Sequence, residues 1–370
     1  MLGTAVLAAC GLDQGPHQSP TIPEHDIPAV SAHASSMPSQ QGSTPSSSPS
    51  PAAAPAPAPP RGRFSVVATA ETDPVPHSGD AADDPAIWIH PTDPALSVVI
   101  GTDKDKGGGL LMYDLEGSEV GARLDGAMNN VDVRGDVVAA GNEEENVVAL
   151  YRMDPATRIP QPAVAEEIRP ELTIYGTCLY EDPGSGRLFA FVTSDEGEIE
   201  QWELTQVDGG FRGTFARAWA LDSQVEACVA DDAHGALYVA EEAVGVWRFD
   251  ADPDADVSGS LVAATGGGEL EPDVEGITIA AWPDGGGFLI VSSQGNDEYV
   301  VYDRRGHEHL ATFTIAAGDE IDETSNTDGI DVTIARLGPD YPAGLLVVQD
   351  GNNGHENQNF KLVSLRELLP

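Results

Sequence analysis

Acidic and amide side chains gather along this chain in short motifs, each beside an apolar run. They are Asp80, Asp83 and Asp84 in "DAADDPAIW", Asn129 and Asp132 in "MNNVDVR", and Glu226 in "SQVEACVADD". Glu241 and Glu242 follow in "AEE", Asp273 and Glu275 in "PDVEGI", Asp322, Asp328 and Asp331 in "DETSNTDGID", and Asp350 in "VVQDGNN". Carboxylates beside a core are costly unless a cation or a set of donors receives them. Side-chain cations are scarce, with 18 Lys+Arg against 61 Asp+Glu, and the only lysines are Lys104, Lys106 and Lys361. Mixed carboxylate and amide oxygens, without Cys/His pairing, are hard ligands that suit calcium rather than zinc or copper. Any one cluster also reads as an Asx turn between strands. Asp273 and Glu275 go further: two apart at the start of a strand, they point to one face.

Other chemistries are poorly served. The chain has no G-x-S-x-G nucleophile elbow and no H-E-x-x-H. Cys178 is followed by no arginine at the spacing of a phosphate-cradling cysteine loop, and no R-H-G histidine nucleophile is present. The run "DPDADVSG" at 252–259 puts Val257 where an EF-hand needs glycine, and no glutamate closes it. The triple glycines at 107–109, 266–268 and 285–287 lack the strand–helix context of a phosphate loop and read as turns.

The elements that must position these residues are strands. From Phe64 onward, β-type runs such as "SVVIGT", "DVVAAG", "RLFAFVT" and "GLLVVQD" alternate with Gly/Asp/Asn/Pro turns, an all-β pattern. Helical periodicity is scarce, "LRELL" being the clearest short case. An aromatic-ended strand before a polar turn recurs at Tyr113, Tyr151, Trp202, Trp247 and Tyr302, with gaps of 38, 51, 45 and 55 residues. "NFKLVSLREL" reads as a sixth copy. A mean period of about 47 residues is that of a four-stranded propeller blade. The expectation is therefore a six-bladed β-propeller over residues 64–370, with "FSVVATA" closing the ring on the C-terminal blade. Loops at one end of a propeller converge on its channel, which gives scattered carboxylates a place to meet.

Charge and the N-terminal region bound the setting. The formal net charge is −43. Residues 1–62 contribute Asp13, Glu24 and Asp26 against Arg61, so almost all of the charge belongs to the domain. Such a chain repels nucleic acid and anionic membrane surfaces and attracts divalent cations. Residues 1–10 end in "LAAC" and resemble a bacterial lipoprotein signal cleaved before a cysteine, with Cys10 as a lipid-anchor site, although the positive n-region is missing. Residues 11–63 are rich in Pro, Ser and Ala and read as a disordered linker. The expected setting is extracytoplasmic, lipid-anchored or secreted, with the protein a monomer. Cys178 and Cys228 read as small core residues, one bridge between them remaining open.

The motifs taken together, from "DAADDPAIWIHPTDP" through "NNVDVR", "IYGTCLY", "EGEIEQWEL", "LYVAEE", "PDVEGITI" and "TSNTDGIDV" to "QNFKLV", resemble the calcium-dependent β-propeller phytases. The resemblance runs in order from Asp80 to Lys361. It implies stepwise hydrolysis of phytate, inositol hexakisphosphate, bound with several calcium ions at the channel mouth and attacked by a calcium-bound water. By resemblance, Glu226, Glu242, Asp273, Glu275 and Asp322 are ligands of the cleavage-site calcium ions, and Tyr175 contacts phosphate or water there. Lys104 matches a phosphate-binding lysine, while Asn129, Asp328 and Gln294 match the neighbouring phosphate site. Asp83 and Asp84 match ligands near the mouth, and Asp328 and Asp350 are counted with the metal set. Two positions depart from the family pattern: Glu143 stands where an arginine is usual, and Asp195 where a lysine is usual. Lys106, Arg134, an extra calcium ion or a different substrate would compensate. Two other readings remain beside the phytase: a degenerate calcium-binding propeller that holds anionic ligands without turnover, and a calcium-dependent propeller lactonase.

Overall fold

The computed structural model describes residues 57–369, so the signal-like segment and the linker up to residue 56 lie outside it. Among the described residues, twenty-five strands fall into six sheets, five of four strands and one of five, all antiparallel except for one added edge strand. The first strand of each sheet lies innermost. These six are Ala82–Trp88, Met128–Arg134, Thr177–Glu181, Val225–Asp231, Val274–Ala281 and Ile330–Thr333. Each contacts the next around a closed ring, the sixth touching the first. They enclose a central channel of about 340 Å³. The fold is a six-bladed β-propeller.

The second strand of a blade is covered on both faces, so its sequence is a near-continuous apolar run. Val98–Asp103, Val137–Asn142, Ala236–Glu241 and Leu345–Asp350 are buried throughout. The recurring aromatics Tyr113, Tyr151, Trp202, Trp247 and Tyr302 each lie on the third strand of a blade. "NFKLVS" is the third strand of blade six. Apolar packing sits between blades: Trp88 and Ile100 of blade one meet Val138 and Tyr151 of blade two. The same arrangement repeats around the ring to Phe360 and Val347 of blade six against Val99 and Tyr113 of blade one. The "LRELL" segment forms only a 3₁₀ turn, Leu365–Glu367.

Ring closure differs from expectation. The "FSVV" part belongs to a strand, Gly62–Val67, that pairs in parallel with His309–Ala316 as a fifth strand on blade five. Only Ala70–Glu71 closes blade six, against Asn359–Ser364. Flanking backbone bonds from Thr69 N to Leu362 O (2.7 Å) and Thr72 N to Phe360 O (2.9 Å) extend that pairing. Two exposed sheet edges are covered by one N-terminal passage, and unpaired edges are what such a fold must cover. The cysteines are settled too: Cys178 and Cys228 form a disulfide inside the core between blades three and four.

Candidate active site

The starts of the inner strands deliver their side chains to one end of the channel. Asp83, Asn129, Glu226 and Glu275 occupy the starts of inner strands one, two, four and five, with Asp328 just before strand six. Four of these strands break register there, between Ala82 and Pro85, Met128 and Val131, Val225 and Ala227, and Val274 and Ile277. A β-bulge frees side chains from strict alternation and re-aims them. Neighbouring strands come close enough to demand glycine: a Cβ on Gly276 would lie 2.6 Å from Asp328 O, and one on Gly329 2.2 Å from Asp84 Oδ1.

The densest group is Glu226, Glu242 and Glu275, each with a carboxylate oxygen within 4.8 Å of the others. Glu226 and Glu275 are buried, and Glu226 Oε2 has no hydrogen-bond partner. Burial, reinforced by Glu275 and Asp83, holds Glu226 protonated well above the usual carboxylate range. Burial, with Asp328 and Glu242, pushes Glu275 up to about 9. Burial also raises Glu242, with Asp273 adding to it. Tyr175 stands beside them, its hydroxyl accepting from Gln224 Nε2 at 3.3 Å. Burial and the Glu226 carboxylate raise the phenol, so it stays protonated. Asp273 is exposed at the rim, where Gln294 N donates to its backbone carbonyl at 3.0 Å. It does not share the buried position of Glu275, because the strand begins only at Val274 and Asp273 lies in the loop before it.

A second group forms around Lys104, whose Nζ lies 2.9 Å from Asp83 Oδ1, 3.4 Å from Asp80 Oδ2 and 3.6 Å from Asp328 Oδ2. Those carboxylates, Asp83 foremost, outweigh burial and raise the ammonium's pKa. Asp328 also accepts from Gln294 Nε2 at 2.6 Å, and burial with Asp83 pushes it to about 8. Asn129 Nδ2 donates to Glu143 Oε1 at 2.8 Å, while Asn129 Oδ1 is buried without a partner. Burial raises Glu143, with Asp83 and the exposed Asp195 adding to it and Lys104 opposing.

Five expected positions fall elsewhere. Asp84 Oδ2 accepts from Val131 N at 3.0 Å, which ties blade one to blade two below the mouth. Asp132 and Asp331 do the same for Leu179 N and Ile87 N, each at 2.8 Å. Asp322 and Asp350 surround the buried Lys361 ammonium with Glu71, at 2.6 and 3.1 Å for the two aspartates. Arg134 closes the opposite end of the channel, bonded to Asp132 (2.8 Å) and Asp232 (2.9 Å). Five residues of strand separate it from Asn129, roughly 17 Å at 3.3 Å per residue. Lys106 is 85% exposed, with Glu144 at 3.8 Å. Sequence reading missed the glutamines that fix the mouth. Gln358 Oε1 accepts from Ala81 N (2.7 Å) and Ala82 N (2.8 Å), and Gln349 Oε1 accepts from Asp328 N (2.9 Å). Gln349 lies inside the strand Leu345–Asp350 and Gln358 just before Asn359–Ser364, both within motifs already quoted, and the only signal was a polar residue in or beside an apolar run.

Six blades that bring carboxylates and amides to one channel mouth define a propeller whose mouth carries a glutamate group that could hold a metal ion. The sequence profile described as phytase matches residues 42–369, and the chain belongs to the phytase family, hydrolases of phosphoric monoesters. The chain is 42% identical over 328 residues to a protein named 3-phytase from Bacillus subtilis (strain 168), covering 82% of this chain and 85% of that one. Among solved structures it is similar to an auxiliary nutrient binding protein from Bacteroides thetaiotaomicron (10% identity, 77% and 70% coverage, TM-score 0.49). It is also similar to a functionally unknown protein from Desulfotomaculum acetoxidans (15% identity, 61% and 71% coverage, TM-score 0.44). Those two likenesses carry no functional weight.

Proposed function

We propose that this protein is a calcium-dependent phytase that releases phosphate stepwise from myo-inositol hexakisphosphate. The observation that carries the reading is the Glu226–Glu242–Glu275 group, three carboxylates within 4.8 Å with one buried oxygen left without a partner. That donor set fits calcium: it is all hard oxygen, with no thiolate or imidazole in it. The 3-phytase relative supports the substrate. Bound here, calcium would supply positive charge for the phosphate oxygens and would lower the pKa of a nearby water so that it is more readily deprotonated to a nucleophile.

The chain's own residues do the rest. Glu226, Glu242 and Glu275 would hold the cation, and Asp273 at the rim would add negative charge beside it. The protonated Tyr175 hydroxyl can donate to a carboxylate or phosphate oxygen. Lys104, fixed among Asp83, Asp80 and Asp328, meets an anionic ester directly, beside Asn129 and Gln294. Asp80 and Asp83 together outnumber Lys104 on this side of the mouth, so a polyanionic substrate would enter with its own cations. Water adds to phosphorus, the ester P–O bond to the ring breaks, and one of the water's protons ends on the departing inositol oxygen while the other stays with the phosphate.

The Lys361 cluster of Glu71, Asp322 and Asp350 carries excess negative charge and offers a place for further calcium ions. An extracytoplasmic location is supported by the Cys178–Cys228 disulfide, a bond that persists in oxidising compartments. We propose Cys10 as the lipid-anchor site and a monomeric working form. The test is phosphate release from phytate with millimolar calcium and after chelation. Release with calcium and none without it is expected; no release in calcium overturns the reading. The second reading, a calcium-dependent binder without turnover, is favoured by one observation: Glu143 and Asp195 put acid where the family carries base. Calcium-dependent phytate binding with zero phosphate release would select it.

A further inference from the structure

Inner strands of neighbouring blades are tied in register by side-chain carboxylates and amides. Asp84 reaches Val131 N from blade one to two, and Asn130 Oδ1 and Asp132 Oδ2 reach Thr177 N and Leu179 N from two to three. Asp331 reaches Ile87 N from six to one, and its other oxygen accepts from Thr278 Oγ1 of blade five. Between blades three and four this device is missing from the upper half of the ring. In "GTCLY" the position matching Asp132 of "NNVDVR" is Cys178, one after Thr177 as Asp132 is one after Val131, so the blade-three strand has no carboxylate there to send onward. What stands there is the Cys178–Cys228 disulfide, joining the two strands at a Cα separation of 5.7 Å.

This interface holds the most exacting part of the site. Tyr175 lies three residues before Cys178, and Glu226 two before Cys228. Glu226 sits in the register break between Val225 and Ala227, where strand pairing cannot fix it. The backbones meet tightly just above the bridge: a Cβ on Gly176 would lie 2.3 Å from Glu226 O. Two hydrogen bonds assist, Thr193 Oγ1 to Val225 O at 2.9 Å above and Glu181 N to Asp232 Oδ1 at 3.2 Å below.

We infer that the Cys178–Cys228 disulfide is a positioning element of the active site. It sets blade four's inner strand against blade three, so that the Glu226 carboxylate faces Tyr175 and reaches Glu242 and Glu275. The inference rests on the proposed calcium site but not on phytate as substrate. A bridge serving only global stability would leave a folded, unbridged protein with an unchanged site.

The experiment compares the oxidised full chain with Cys178→Ala/Cys228→Ala and with wild type reduced under native conditions. Each is titrated with calcium by calorimetry and assayed for kcat and KM on phytate at saturating calcium. Circular dichroism verifies the fold. Removing the bridge should weaken calcium binding roughly tenfold and lower kcat by a similar factor, with KM little changed, as loss of a group that orients a metal ligand does. Unchanged affinity and kcat with only a lower melting temperature would overturn the inference. If the double variant does not fold, the reduced wild type decides, and its global unfolding counts against a local positioning role. If wild type has no activity on phytate, the proposed function fails, while the calcium titrations still judge the bridge.

Discussion

Calcium binding at neutral pH should expel protons from this protein. The metal-free mouth keeps carboxyl groups protonated at pH 7, because burial and mutual repulsion raise Glu226 well above the ordinary range, Glu275 to about 9 and Asp328 to about 8. A carboxyl group must ionise to hold a cation. One pH unit of displacement is about 1.4 kcal/mol, so ionising Glu275 at pH 7 costs about 3 kcal/mol and Asp328 about 1 kcal/mol. The groups share their repulsion, so these costs do not simply add. About two protons should leave per site filled at pH 7, and affinity should climb by about two decades between pH 6 and 7. Calorimetric calcium titrations in buffers of differing ionisation enthalpy measure the proton count directly. A count near zero at pH 7, with affinity flat from pH 6 to 8, would refute the electrostatics derived for this mouth.

The same groups set metal-free stability. Glu275 and Asp328 bind protons more tightly in the folded protein than in the unfolded chain, so stability is full below ordinary carboxylate values and falls as pH rises towards 8 and 9. Thermal melts in chelator should therefore be higher at pH 5 than at pH 8.5, and calcium should remove the difference. Glu226→Gln should cut kcat by roughly a hundredfold while leaving the melting temperature of the metal-free protein intact at pH 7, since the buried carboxyl is already protonated and the amide replaces one neutral group by another; wild-type turnover would remove Glu226 from the site. Glu143→Arg replaces repulsion by attraction beside Asn129, a change of about 4 kcal/mol per sign at 4 Å and an effective dielectric of 20 before screening. Its phytate KM should fall by at least roughly tenfold in steady-state assays, and an unchanged KM would place Glu143 outside substrate contact. Gly329→Ala should destabilise by about 1–3 kcal/mol in denaturant melts, because its Cβ would meet Asp84.

Strand existence, the blade repeat and the acidic motifs were legible in the sequence, because each is a local pattern. A third strand carries an aromatic at Tyr113, Tyr151, Trp202, Trp247 and Tyr302 whatever its blade packs against. Composition alone fixed that carboxylates outnumber cations and that any shared site must import positive charge. Which carboxylates share a site was a tertiary decision. Asp83 and Asp84 are adjacent in sequence, yet one meets Lys104 and the other clamps the next blade, because a bulge divides their directions. Asp322 and Asp350 look like the other acids in sequence, but they lie beside the buried ammonium of Lys361. Arg134 shares a strand with Asn129 and still ends at the far end of the channel, since an extended strand carries its two ends apart. Closing the ring brings residues some fifty positions apart into contact, and no local pattern encodes which of them will face each other there.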